Sequence, residues 1–265
     1  MIGLPESRPV VTGPDIIALK MTQRAYQPLI QAKCLAQKPV GPFHIFPAKI
    51  AKAPRFHYLC KRMVTLIIIL ITAGVSILCF TGTLNIHSWV FNAYQVWHGK
   101  QWHRMLSYSL VHSGWGHLIF NMLTLYFFGP VVEQYFAAAF GATAGAILFA
   151  VLYVSAIAVS TVGDLLKYRN DYGYNAVGAS GAVSAILFTS ILFEPKMGIY
   201  IFMIPIPIPG YIFAPLYLLY CWYMARRNMD NIGHTAHFWG AVYGLVFPLL
   251  CKPSIFAHFL AQLGL

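Results

Sequence analysis

Ala176-Val-Gly-Ala-Ser-Gly-Ala-Val-Ser-Ala-Ile-Leu-Phe-Thr-Ser-Ile-Leu-Phe193 carries no charge and no proline. Its length falls within the roughly 17–25 residues that a helix needs to cross the hydrocarbon core of a bilayer. It opens on Gly178, Ala179, Ser180 and Gly181. Small residues of this kind let another helix approach closely. A hydroxyl in that company is a functional candidate, because polar groups within spans are costly.

Working outward, five more apolar segments frame this one. They are Val64–Phe80 (extendable through Leu84), His117–Phe136, Ala137–Val162, a span within Ile199–Ala225, and Thr235–Cys251. No stretch alternates in the manner of a transmembrane barrel strand, so the expected fold is an all-α membrane protein with six spans. Composition agrees. The chain is 58% hydrophobic and 9% charged, with a mean hydropathy of +0.64; a soluble domain carries about 25% charged residues.

The net charge of +11 is concentrated at one end. Residues 1–62 hold ten Lys/Arg against Glu6 and Asp15, and half of the sixteen prolines. They read as a basic, poorly ordered tail before a first span, which favours a cytoplasmic N-terminus and contact with anionic lipid headgroups. A transit peptide and a start at Met63 are alternatives for this stretch. There is no zinc-finger spacing and no RNA-binding motif, so nucleic acid is not an expected partner. The five cysteines form no C-x-x-C pair. No metal or cofactor is expected. The resulting partition is a tail (1–62), a membrane domain (63–252) and a short C-terminal tail (253–265).

Two connections stand out. Residues 85–116 contain Trp89, Phe91, Tyr94, Trp97 and Trp102, a composition suited to the membrane interface. Met203–Gly210 holds three alternate prolines, so a regular fifth helix is expected to begin only after it.

Spans two, four and six run in the same direction, so their N-terminal ends share one side of the membrane. His117 and Asn121, at i and i+4, open span two; Ser180 opens span four; His234, Thr235 and His237 open span six. His237, Gly240 and Gly244 form one stripe at i, i+3 and i+7. Against the small surface of span four, that stripe is expected to bring Ser180 Oγ within hydrogen-bond reach of His237.

These residues resemble the rhomboid family over roughly residues 64–251. Gly178-Ala-Ser-Gly181 is similar to its G-x-S-G motif, and Ala236-His237-Phe-Trp-Gly240-Ala-Val-Tyr-Gly244 to its A-H-x-x-G-x-x-x-G motif. His112, His117 and Asn121 follow its H-x4-H-x3-N pattern, and Gly129 and Glu133 its G-x-x-x-E. The resemblance implies a six-helix rhomboid bundle and a serine endopeptidase with Ser180 as nucleophile and His237 as base. It also implies that His117, Asn121 and the Ser180 N–H hold the oxyanion, with His112 in support. The implied substrates are single-span membrane proteins cut near the outer boundary, entering laterally near span five and Arg226–Thr235. The implied setting is a bacterial inner membrane, with the site opening to the outer side. Oligomeric state is not legible.

Two positions depart from the family pattern. His103-Arg104 stands where many relatives have Trp-Arg, with Trp102 one place early. Ser184 stands where an aromatic residue would stack on the base, leaving Phe238 or Trp239 as substitutes. The rivals are a non-proteolytic rhomboid-like binding or quality-control protein, and a transporter relaying protons through His117, His234 and His237. A metalloprotease is disfavoured by the lack of H-E-x-x-H and of an acid beside the histidine pair.

Overall fold

The computed structural model describes residues 63–201, 206–227, 230 and 232–265. The basic tail expected over 1–62 lies outside them, as do parts of the proline-rich stretch and of the loop before the last span. The long helices are α1 (Met63–Phe80), α4 (Trp115–Phe140), α5 (Ala142–Tyr168), α6 (Ser180–Phe193), α7 (Gly210–Arg227) and α8 (His234–Cys251). The shorter ones are α2 (Ala93–Trp97), α3 (Arg104–Ser107) and α9 (Ser254–Leu263). Two antiparallel pairs join loops: β1 (Phe91–Asn92) with β2 (Asn175–Ala176), and β3 (Gly198–Ile199) with β4 (Ile208–Pro209).

The long helices occupy the six expected segments, but they do not all meet the demands of a span. By length and composition α1, α4 and α5 are able to cross a membrane, and the α8–α9 pair, bent by 116°, makes a fourth if it counts as one. Helix α6 is a shorter apolar helix. It has no polar face to offer water, and a helix that is apolar all round belongs inside a bundle. Every residue from Gly181 to Phe193 is buried, against α4, α5, α7, α8 and α9.

The Gly129/Glu133 motif joins α1 to α4. A Cβ on Gly129 would stand 2.5 Å from Thr65 Oγ1. The Glu133 carboxylate accepts the Thr65 N–H (2.8 Å) and also the Thr65 hydroxyl. Thr65 is in the first turn of α1, where N–H groups have no intrahelical acceptor. A carboxylate there satisfies one of them and complements the helix dipole.

Residues 81–114 fold into short helices rather than an open loop. Arg104 holds them together, donating to the carbonyls of His87 (2.9 Å) and Val90 (2.8 Å) and to Gln101 Oε1 (2.5 Å). The Trp102 side chain is 50% exposed. Helix α7 begins at Gly210, just past the proline run, as proline chemistry demands.

The short tail expected after residue 252 is helical. Pro253 stops α8 but also sits where a new helix accepts a proline, and α9 starts at Ser254. Its Ile255 is fully buried, and the His258 ring meets the Phe193 carbonyl at 3.1 Å.

Candidate active site

Ser180 is the first residue of α6, so its backbone N–H is one of the donors a helix start leaves without an intrahelical acceptor. The turn before it requires glycine at Gly178, for two reasons. Its φ is +109°, and a Cβ would stand 2.5 Å from Cε1 and 2.6 Å from Nε2 of His117. The Cε1–Nε2 edge of the His117 ring therefore lies against the chain two residues before Ser180. Its other nitrogen, Nδ1, is 3.1 Å from Ser113 Oγ, so Nε2 faces the serine turn. Asn121 is buried one turn further along α4 and donates Nδ2–H to the His117 carbonyl at 3.0 Å. An amide nitrogen has two hydrogens, so one donor remains.

The same turn is tied down from below. Gly178 N–H donates to the Tyr108 carbonyl at 3.0 Å, and Ala179 N–H points at His112 Nε2 at 3.5 Å. His112 Nδ1 lies 2.9 Å from Ser76 Oγ, which donates to the Leu110 carbonyl at 2.8 Å. One tautomer satisfies this chain: Nε2 accepts and Nδ1–H donates. His112 thus braces the turn from α1, and it is fully buried.

Helix α8 meets α6 backbone to backbone. A Cβ on Gly240 would overlap the Gly181 carbonyl oxygen, and one on Gly244 the Ala185 carbonyl oxygen. Thr189 Oγ1 then donates to the Gly244 carbonyl at 2.6 Å. A Cβ on Gly181 would meet the Ala236 carbonyl oxygen at 3.3 Å, which sets the first turn of α8 beside Ser180. His237 lies in that turn, its ring edge-on to that of His234. The N-terminal ends of α4, α6 and α8 therefore meet, and Ser180, His237, His117 and Asn121 with them. Among the described residues, no hydrogen bond joins the Ser180 hydroxyl to His237, contrary to the expectation from the stripe. Pairings of this kind are often loose before substrate binds.

The surroundings of His237 differ from those expected. Ser184 pairs with the Tyr217 hydroxyl of α7 at 3.0 Å. Neither suggested aromatic takes the missing place. Trp239 packs on Gly163, whose Cβ would stand 3.0 Å from its ring, and Phe238 packs edge-on against Trp239. The ring beside His237 is His234, with centroids 6.1 Å apart at 78°. The reading that no acid stands beside this histidine pair is also corrected: Asp230 bonds His234 Nε2 at 3.0 and 3.2 Å. That bond pulls the Asp230 carboxyl below its ordinary value.

Sequence reasoning missed Asp164. It is 2% exposed, in the last turns of α5, with the hydroxyls of Tyr174 and Thr235 beside it. Thr235 is two residues before His237. Tyr217 and Cys221 were missed as well, although their i, i+4 spacing sets them on one face of α7.

Comparison with known proteins places this arrangement. RHOMBOID-like protein 12, mitochondrial, of Arabidopsis thaliana is 31% identical over 113 residues, 40% of this chain and 34% of that protein. The match thus spans about a third of the plant protein's length. The putative rhomboid protease YdcA of Bacillus subtilis is 24% identical over 155 residues, 57% of this chain and 68% of that one. The rhomboid protease GlpG of Haemophilus influenzae is 26% identical over 157 residues, 59% and 73% of the two chains. The profile described as "Rhomboid domain" matches residues 99–254, more than half the chain and the whole of the site, so this integral membrane protein belongs to the rhomboid family.

Proposed function

We propose that the chain is an intramembrane serine endopeptidase acting through a Ser180–His237 dyad. The observation that carries this reading is the backbone contact of Gly240 with Gly181. The base candidate is one helical turn, and the nucleophile candidate one residue, from this close approach of two helices.

The chemistry follows from the donors present. Ser180 Oγ attacks the scissile carbonyl while His237 takes its proton, and His237 later returns a proton to the leaving amine. Water then resolves the acyl-enzyme. The developing oxyanion faces the Ser180 N–H, the remaining Asn121 Nδ2–H and His117 Nε2–H. The Ser113 hydroxyl, donating to His117 Nδ1, favours the tautomer that keeps the proton on Nε2. Single-span membrane proteins are the substrate class, entering beside α7 and cut near the outer boundary. The N-terminus is then cytoplasmic, and the six long helices are the spans around which a bilayer sits. A bacterial inner (plasma) membrane is the proposed setting; two of the relatives are from bacteria, although the plant relative is named mitochondrial.

The test is cleavage of a single-span substrate by the full chain purified in detergent. Wild type is expected to cleave, and Ser180→Ala and His237→Ala to lose cleavage. A fluorophosphonate is expected to label Ser180 in wild type and not in His237→Ala. Undiminished cleavage by Ser180→Ala overturns the dyad.

A further inference from the structure

Beside the proposed base stand two side chains that proteolysis does not use, and with it they form a group. Cys221 of α7, with His234 and His237 of α8, offers three ligand atoms within 4.8 Å of one another. Cys221 is 1% exposed and His234 4%. His234 Nε2 is engaged by Asp230, while His234 Nδ1 is buried with no hydrogen-bond partner. A buried ring nitrogen left without a partner is costly, and a metal ion is a partner it lacks. An imidazole whose far nitrogen is held by a carboxylate is also the arrangement that orients histidine for metal binding.

We propose that Cys221, His234 and His237 bind a borderline-soft divalent cation of the Zn2+ type, and that the bound ion holds His237 away from its role as base. Thiolate and imidazole donors select such ions over Mg2+ or Ca2+, which take oxygen ligands. A tetrahedron built on bonds of about 2.0–2.3 Å has edges of about 3.5 Å. The group therefore closes by about an ångström on binding, through side-chain rotation at the start of α8 and on α7. Charge balances too. The Cys221 thiolate and the Asp230 carboxylate offset the dication, which a site within a membrane protein requires. Three protein ligands leave a fourth position for water. Cys221 gives up its thiol proton to solvent on binding.

The ligands are spaced 13 and 3 residues apart on two helices, outside any local motif. That is why the sequence reading expects no metal. The inhibitory part of the proposal rests on the function proposed above; the binding part does not.

The full chain in detergent, stripped with chelator, is titrated with Co2+ and then Zn2+. One equivalent of Co2+ is expected to give a thiolate-to-cobalt charge-transfer band that Zn2+ displaces. Cys221→Ser is expected to abolish the band, and Asp230→Asn to weaken binding about 10–100-fold. Ser180→Ala is expected to keep both the band and the affinity, so binding is read even where no cleavage occurs. In cleavage assays Zn2+ is expected to inhibit wild type reversibly. Cys221→Ser, compared with its own metal-free rate, resists it at the same concentration. Absence of the band, or its persistence in correctly folded Cys221→Ser, overturns the site. Stoichiometric binding with unchanged cleavage overturns the inhibitory role.

Discussion

Gly240 of α8 lies directly on the Gly181 carbonyl of α6, with no room for a methyl group between the two backbones. Neither partner is the far end of a flexible chain, so an added Cβ has to push the helices apart. Gly240→Ala is expected to destabilise the bundle by about 1–3 kcal/mol, the usual cost of overpacking. Gly244→Ala is expected to do the same against Ala185. Thermal unfolding in detergent measures both. Cleavage is expected to suffer more in Gly240→Ala, because Gly240 is one turn from His237. Equal loss in the two variants argues that only global stability is at stake.

Gly178→Ala acts on the other wall of the site. The substituted residue is strained at φ +109° and meets the His117 ring at 2.5 Å. The ring, being the softer of the two, moves. The variant is expected to lose about 10²–10³ in kcat with little change in KM, as when an oxyanion donor is removed. His117→Ala is expected to fall by a similar factor, and the double variant by scarcely more. Additive losses contradict an effect routed through His117.

The His112 loop position has a pH signature. Burial first, and then the nearby His117, pull its pKa from 6.5 down to about 3. Between those values the unfolded chain binds a proton that the folded chain refuses. Stability is therefore complete above pH 6.5 and falls as the pH drops toward 3. The slope reaches at most about 1.4 kcal/mol per pH unit. A proton on Nε2 would also face the Ala179 N–H. His112→Asn is expected to be less stable at neutral pH but to lose less on acidification. Unfolding midpoints from about pH 7.5 to about pH 4 test this; parallel profiles for wild type and variant exclude His112 as the source.

What was legible in the sequence is what repeats along one helix. The apolar runs gave the long helices, and the spacing of Gly240 and Gly244 gave the face that α8 turns to α6. The Gly129/Glu133 pair read as a family motif, but its purpose depends on Thr65, 68 residues away in sequence. Hydropathy also ended the third span at Val162, whereas α5 continues to Tyr168. A carboxylate looks like an end of apolar sequence unless the hydroxyls beside it are seen. Ser184 with Tyr217, and Cys221 with the α8 histidines, escape for the same reason: each pairing crosses between helices and has no local spacing.

Asp164 turns that missed carboxylate into a test. It stands at the end of α5 beside Tyr174 and Thr235, and Thr235 and His237 share the first turn of α8. Asp164 touches no reacting atom, so its role is to position that turn. Asp164→Asn keeps an acceptor oxygen for one hydroxyl. Asp164→Leu removes the acceptor beside two half-buried hydroxyls and is expected to cost about 1–3 kcal/mol in all. Cleavage is expected to fall in the order wild type, Asn, Leu, with the loss in kcat rather than KM. Partial rescue by Asn separates positioning from simple packing, since Leu fills the volume as well as Asn does. Thr235→Val, isosteric and without the hydroxyl, is expected to reproduce part of the kcat loss while leaving Tyr174 untouched. A Thr235→Val enzyme with wild-type kcat would remove Asp164 from the orientation of His237.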